Sequence, residues 1–160
     1  MPTNTTCACT CGVKPIDVAQ YIINHFSTRE QYITTIKLQK LVYYSQAWSL
    51  VWDDEPLFNE DFEAWINGPV VRCLFDELKG YYYCPQTIKD ADPNKLSDNQ
   101  KETINLVLDN YGKLTSSQLV MLTHSEDPWK NARGNLPPNC PSNTPITKQA
   151  IAHFYTGLLN

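Results

Sequence analysis

Residues 35–52 read TIKLQKLVYYSQAWSLVW, and this stretch decides the architecture of the chain. Thr34 or Thr35 is suited to cap a helix here, because a hydroxyl oxygen can accept a hydrogen bond from a free N–H of the first turn. From Leu41 to Trp52, apolar and aromatic residues lie nearly all the way round such a helix. A helix of this kind is usually central and buried, so the stretch predicts a core helix with other elements packed around it.

Further helices are predicted on both sides of the central one. Signals for a helix start, either a proline or a capping residue, occur at Pro15, Pro69, Ser97, Thr115, Pro128 and Thr147. Proline suits the first helical position. Ser97 and Thr115 are each followed by Gln three residues later, which is the pattern of a capping box. Apolar residues then recur at helical spacing. The predicted helix from Pro69 runs to about Leu78, and the brief one from Pro128 ends at Gly134.

Irregular connections are expected between these helices, among them residues 81–96. Residues 53–69 contain Pro56, Gly68 and Pro69 without a sustained period, so they predict an ordered connection with at most a short strand or turn around residues 62–65. A connection of this length is often functional. Residues 135–145 hold four prolines and predict a surface loop.

The composition fits one compact domain. The chain has 160 residues, of which 42% are hydrophobic and only 19% charged, and this length is typical of a single domain with a real core. The succession of helical patterns predicts a mainly α fold of about six or seven helices, with room for a small strand pair. No apolar stretch is long enough for a membrane span, so we expect a cytoplasmic protein without a membrane partner.

Cysteines cluster at the start of the chain, where Cys7, Cys9 and Cys11 alternate with other residues. With a fourth thiol they would make candidate ligands for zinc or an iron–sulfur cluster. Structural zinc sites usually pair C-x2-C knuckles, however, and the sequence has none. We therefore favour a flexible, reduced tail over residues 1–14 ahead of a domain over residues 15–160, and we expect neither a metal nor a cofactor.

Catalytic patterns are weak. His124 stands beside Ser125, Glu126 and Asp127, which invites a general-base interpretation. Adjacent residues at a helix end do not face each other, and no nucleophile stands at a recognisable offset. The H-x-x-x-H, G-x-G-x-x-G and P-loop motifs do not occur. The residues therefore predict a protein that is not an enzyme.

Six basic residues have two possible interpretations, a local basic patch or a solvated helix face. They are Lys37, Lys40, Arg72, Lys79, Lys130 and Arg133. The formal net charge of −4 makes nonspecific attraction to phosphate backbones unfavourable. A recognition helix for DNA cannot be placed in the sequence. Nucleic acid is therefore not the expected partner.

Residues 61–71 read DFEAWINGPVV and hold the most informative turn. Trp65 joins a large apolar body to an N–H group that needs a partner. Gly68 permits a backbone geometry that other residues avoid, directly before Pro69. Two interpretations remain: a turn anchored to the core, or one wall of a groove into which a partner inserts.

Taken together, these residues resemble the Panacea antitoxin domain, also described as the SocA-like or phage-associated GepA-like family. The matching blocks, in order, are residues 37–48 (KLQKLVYYSQAW), residues 56–58 (PLF) with 63–65 (EAW) and 68–71 (GPVV), and residues 119–130 (LVMLTHSEDPWK). The resemblance extends over residues 16–158. Departures from the pattern occur at residues 53–55, at Phe75 and in the loop 135–145.

The resemblance implies an α-helical antitoxin that neutralises a cognate toxin protein by direct binding. Two alternatives stay open: a proteolytic adaptor that delivers the toxin to a cytosolic protease, and a phage-associated DNA-binding regulator. The candidate partner-binding residues are Lys37, Gln39, Lys40, Tyr44, Trp65, Gly68, Pro69, His124 and Trp129. We expect Tyr44, Trp65 and Trp129 to be anchors, because aromatic side chains supply much of the affinity of interfaces; the same three could instead be core residues.

Overall fold

The structure is a computed structural model that describes residues 12–159. Within that range the chain forms seven α-helices, a 3₁₀ turn and one small sheet. The helices are α1 (Pro15–Ser27), α2 (Thr35–Trp52), α3 (Arg72–Glu77), α4 (Asp98–Tyr111), α5 (Ser116–Ser125), α6 (Asp127–Arg133) and α7 (Lys148–Gly157). The strands are β1 (Phe62–Trp65), β2 (Gly68–Val70) and β3 (Pro145–Ile146), and the 3₁₀ turn is Pro93–Lys95. The predicted mainly α, single-domain fold is confirmed.

Helix α2 lies at the centre, as its sequence predicts. Every residue from Leu38 to Ser49 is buried, and α2 packs against α1, α4, α5, α7 and β2. Thr34 is the N-cap, and its hydroxyl accepts a hydrogen bond from the backbone N–H of Lys37 at 3.0 Å. None of the helices in residues 12–159 has the length and apolar character needed to cross a membrane.

Capping residues begin the helices as predicted. Ser97 and Thr115 each accept a hydrogen bond from the backbone N–H of the glutamine three residues on, and the glutamine side chain accepts from the cap in return. Thr147 accepts from the N–H of Ala150 at 3.0 Å. These local bonds satisfy orphan donors of the first turn, which is why the helix starts follow from short sequence patterns alone.

The predicted helix start at Pro69 is wrong, because Pro69 belongs to strand β2. Strand β1 pairs with β2 in antiparallel register, with Ala64 opposite Pro69 and Trp65 opposite Gly68. The sheet order is β2-β1-β3, so β2 is an edge strand. Edge strands accommodate proline, which has no N–H to donate. Helix α3 starts at Arg72 instead.

Three buried glutamines hold in place the connections that have little regular structure. Each side-chain amide accepts a hydrogen bond from one backbone N–H and donates one to a backbone carbonyl, as a neighbouring strand would. The partners are Ile88 and Gln86 for Gln20, Val71 for Gln39, and Leu57 and Phe58 for Gln46. Buried backbone groups must be paired, so these amides fix connections that carry few ladder bonds of their own.

Replacing Gln46 with leucine is expected to lower the free energy of unfolding by about 2–4 kcal/mol, because two buried backbone groups lose their partners. These groups are the N–H of Leu57, at 2.7 Å from Oε1, and the carbonyl of Phe58, at 2.9 Å from Nε2. Urea denaturation measures the change. The matched control is Gln149→Leu on the exposed face of α7, which should change stability by less than about 0.5 kcal/mol. Equal losses in the two variants would contradict the role of Gln46.

A second polar cluster lies inside the core around Glu126. Its Oε1 accepts hydrogen bonds from the hydroxyls of Tyr44 and Tyr155, each at 2.7 Å. Tyr155 also lies 3.1 Å from the hydroxyl of Tyr43. Burial raises the pKa of the Glu126 carboxyl, and the two tyrosine hydrogen bonds oppose that shift. The cluster ties α2 and α7 to the junction between α5 and α6.

The cysteines within the described range are free thiols: Cys73, Cys84 and Cys140. Residues 12–159 contain no group of three His, Cys, Asp or Glu side chains that could hold a metal ion. The candidate ligands Cys7, Cys9 and Cys11, and most of the predicted tail, lie outside the described residues.

Candidate partner-binding groove

The three sequence blocks that are distant along the chain meet at the turn end of the β1–β2 hairpin, where Trp65 lies opposite Gly68. Lys40 Nζ, from the first block, donates a hydrogen bond to the carbonyl of Pro69 at 3.0 Å. Trp129 Nε1, from the third block, donates to the carbonyl of Trp65 at 2.7 Å. The first and third blocks therefore both bond to the hairpin, which belongs to the second block, and the three blocks form one structural unit.

Lys40 is a supporting residue of this unit. Only 1% of its surface is exposed, and burial lowers its pKa to about 7. Gly68 has φ = +107°, and a Cβ there would lie 2.6 Å from Lys40 Cε and 2.7 Å from Thr123 Oγ1. A glycine is thus required by the local backbone and by the close approach of the lysine. The interpretation of Lys40 as part of a solvated face or an exposed basic patch is wrong.

His124 packs beneath the hairpin. Its ring stacks on Trp129 with centroids 3.9 Å apart, and its buried Nε2 has no hydrogen-bond partner among the described residues. Burial lowers the pKa of His124, the charges of Lys40 and Arg133 lower it further, and a backbone hydrogen bond with Ile66 opposes them. The imidazole is therefore predominantly neutral at pH 7. The carboxylate of Glu126, two residues along the chain, accepts hydrogen bonds from tyrosines and not from His124.

Arg133 is buried and organises the proline-rich loop. Its guanidinium donates to the carbonyl of Ala64 at 3.1 Å and, on the loop side, to those of Pro137 at 2.9 Å and Cys140 at 2.6 Å. It also lies 5.0 Å from the centroid of the Trp129 ring. Arg133 therefore belongs neither to a solvated face nor to an exposed patch. The sequence places it only as a basic residue before Gly134, which gives no sign of this loop-binding role.

A groove of about 720 Å³ opens beside the hairpin. Its walls are the first half of α2, the hairpin, α3 with the turn after it, and the end of the proline-rich loop. The lining residues are Thr35, Ile36, Gln39, Lys40, Trp65, Ile66, Asn67, Val70, Arg72, Phe75, Leu78, Lys79, Gly80, Tyr81, Pro141, Ser142 and Asn143. This volume is within the usual range of binding clefts.

Two aromatic rings with two cations above them form the most distinctive part of the groove. The rings of Trp65 and Phe75 meet edge to face with centroids 4.8 Å apart. The guanidinium of Arg72 lies 5.2 Å from the Trp65 ring, and Lys79 Nζ lies 5.9 Å from the Phe75 ring. Glu63 accepts from Trp65 Nε1 at 2.7 Å and from Arg72 at 3.0 Å. The N–H of Trp65 is thus satisfied inside the fold, while its ring contributes to the groove.

The candidate residues fall into three places. Gln39, Lys40 and Trp65 line the groove. Supporting positions behind it are buried or packed against the hairpin, namely Tyr44, Gly68, Pro69, His124 and Trp129. Lys37 lies apart from the groove, where Nζ donates to the carbonyl of Gly112 at 2.6 Å.

Sequence reasoning missed the contribution of α3 to the groove. Phe75, Leu78 and Lys79 all line it, and they follow one another at the i, i+3, i+4 spacing of a helix face. The apolar residues Val70, Leu74, Phe75 and Leu78 predict a buried stripe, and Leu78 is indeed buried. Phe75 is only partly buried and Lys79 is exposed. The spacing therefore indicated a helix face, but it could not show that Phe75 and Lys79 keep exposed surface in the groove.

Comparison with known proteins gives two matches. The profile of the family described as "Antitoxin SocA-like, Panacea domain" matches residues 38–130. The chain is also 30% identical over 131 residues to "Antitoxin SocA" of Caulobacter vibrioides (strain NA1000 / CB15N). That alignment covers 70% of this chain and 66% of the relative, slightly under two thirds of its length. No solved structure matches the chain.

Proposed function

Because the chain belongs to the SocA-like antitoxin family that carries the Panacea domain, we propose that it neutralises a cognate toxin protein by direct binding in the cytoplasm. One observation carries this proposal. The hydrogen bonds that join the three sequence blocks hold the hairpin in place beside a groove that is open to solvent and lined by Trp65 and Phe75. Aromatic rings on a rigid frame are the usual anchors of protein interfaces.

The bonding of the polar core supports binding rather than catalysis. The side chains that would be candidates for acid–base chemistry are held in structural contacts: Lys40 with Pro69, Glu126 with two tyrosines, and the His124 ring with Trp129. General-base catalysis requires a group within reach of a substrate proton. We therefore propose that the protein works without catalysis of its own.

Co-expression with the product of the adjacent gene tests the proposal. We expect that product alone to arrest growth of a bacterial host, and co-expression of this chain to restore growth. The two proteins should also co-purify as a complex. A neighbouring toxin that still arrests growth and fails to bind this chain would contradict the proposed function.

Truncating the aromatic lining should weaken the complex. Phe75→Ala is expected to raise the Kd for the toxin at least tenfold, which corresponds to about 1.4 kcal/mol. Phe75 is the better target than Trp65, because Trp65 also bonds to Glu63 within the fold. Leu106→Ala is the matched control, since Leu106 is 44% exposed on α4 and does not line the groove. Titration calorimetry measures both affinities, and thermal melting confirms that both variants fold; an equal Kd for the two would place the interface elsewhere.

Two further measurements distinguish direct binding from the adaptor and DNA-binding alternatives. In an adaptor mechanism the half-life of the toxin would shorten when this chain is present, and the shortening would require a cytosolic protease. A DNA-binding regulator would shift its own upstream promoter in a mobility assay at physiological salt. Under the direct-binding proposal we expect neither a shortened half-life nor a shift.

A further inference from the structure

The groove differs in charge from the chain as a whole. The chain carries a formal net charge of −4, whereas the exposed charged side chains among the described residues that line the groove are Arg72 and Lys79, and none of these lining residues is Asp or Glu. A cleft with charges of one sign attracts ligand groups of the opposite sign. The groove is thus a local basic site on an acidic protein.

The two exposed cations differ in how far they are engaged. Arg72 is paired with Glu63, through Nη2 at 3.0 Å and Nε at 3.3 Å, and its side chain remains 50% exposed. Lys79 is exposed and lies over the ring of Phe75. An ammonium group can contact a ring and still bind an anion, because its three donors are free to rotate about the flexible stem. Lys79 therefore has fewer contacts that compete with a negative group than Arg72, which is paired with Glu63.

The apolar lining favours a protein segment over a nucleic acid. Ile36, Val70 and Leu78 line the groove beside the two aromatic rings, so an occupant gains by burying apolar side chains there. Nucleic-acid binding depends on several phosphate contacts, and the net negative charge of this chain opposes it. A short peptide segment meets both properties of the groove at once.

We propose that the groove binds an acidic segment of the partner protein, with a carboxylate at Lys79 and Arg72 and an apolar side chain against Trp65 and Phe75. This inference rests on the proposed function and adds the chemistry of the segment that is recognised. It also makes the charge of the groove a determinant of partner choice, since a basic segment would be repelled at the same site.

A display library of random dodecapeptides tests the chemistry. We expect selection on the full chain to enrich peptides that carry at least two Asp or Glu residues together with an aromatic or large aliphatic residue. Binding of the strongest enriched peptide is then measured by fluorescence anisotropy. Lys79→Glu should weaken it at least tenfold, whereas Lys113→Glu, the same charge change at an exposed lysine outside the groove, should change it less than twofold.

Several results would overturn the inference. These are enrichment of neutral or basic peptides, no enrichment, equal effects of the two lysine variants, or displacement of the peptide by a thymidine decanucleotide at equal concentration. Both lysines are exposed, and a thermal melt confirms that each variant folds.

Measuring how the wild-type chain and the two lysine variants bind the toxin distinguishes a failure of this inference from a failure of the proposed function. If the toxin binds but Lys79→Glu and Lys113→Glu bind it equally well, the inference fails while the proposed function stands. If the wild-type chain does not bind the toxin or restore growth, the proposed function itself fails.

Discussion

Gly68→Ala is expected to lower the free energy of unfolding by about 2–5 kcal/mol. Backbone strain contributes about 1–2 kcal/mol, because a residue with a Cβ rarely adopts φ = +107°. Overpacking adds about 1–3 kcal/mol, because the new Cβ would lie 2.6 Å from Lys40 Cε and 2.7 Å from Thr123 Oγ1. Urea denaturation measures the loss. Either Lys40 or the hairpin must shift to relieve the contact.

Gly80→Ala is the matched control for the backbone strain. Gly80 has a similar φ of +88°, but a Cβ there meets nothing within 4 Å. Its replacement should therefore cost only the strain, about 1–2 kcal/mol. A loss at Gly80 as large as that at Gly68 would show that the crowding against Lys40 has no energetic weight. The difference between the two variants isolates the crowding of the hairpin against Lys40 and Thr123, which belong to the first and third sequence blocks.

The buried Lys40 should make the protein more stable as the pH rises from about 7. Burial lowers its pKa in the folded state to about 7, whereas the unfolded value is about 10.4. Between these two values the unfolded chain binds more protons than the folded one, so the free energy of unfolding increases with pH. The expected gain attributable to Lys40 is about 3 kcal/mol between pH 7 and pH 9.5. Below pH 7 both states are protonated and the dependence disappears.

Lys40→Met isolates this contribution. Methionine keeps the unbranched apolar stem and removes the titratable group, so urea denaturation of the variant should lack the gain. The Cys73 and Cys84 thiols and the tyrosines around Glu126 have pKa values raised by burial, but they are present in both proteins and cancel in the difference. Parallel stability curves for the two proteins across this pH range would contradict a buried Lys40 with a lowered pKa.

Gly68 and Lys40 belong to the same set of contacts that supports the groove. Lys40 bonds to Pro69 and contacts Gly68, while the neighbouring Gln39 bonds to both backbone groups of Val71. These contacts place the hairpin, which carries Trp65 into the wall of the groove. Under the proposed function, substitutions at Gly68 or Lys40 should therefore affect partner binding through the position of the hairpin, whereas substitutions at Phe75 and Lys79 should affect contacts with the partner itself.

Local patterns were enough to predict most helices. Capping residues at Ser97, Thr115 and Thr147 and the apolar run after Leu41 specify helix starts and the central position of α2. These features depend on contacts within a few residues, so the sequence contains them directly. Pro69 was the exception, because proline is acceptable both at a helix start and in an edge strand. Only the pairing of β2 with β1 distinguishes the two.

The sequence by itself determined that this chain is a mainly α domain and which residues carry the family pattern. The tertiary structure decided which side chains are enclosed: Tyr44 and Lys40 of the first block are buried, whereas Phe75 and Lys79, which lie outside the matching blocks, keep exposed surface in the groove. The physical reason is that polar side chains of α2 satisfy backbone groups that lie far along the chain, 32 positions away between Gln39 and Val71 and 75 positions away between Lys37 and Gly112. Such long-range bonds leave no periodic trace, so only the folded chain shows which side chains are enclosed and which remain free to bind.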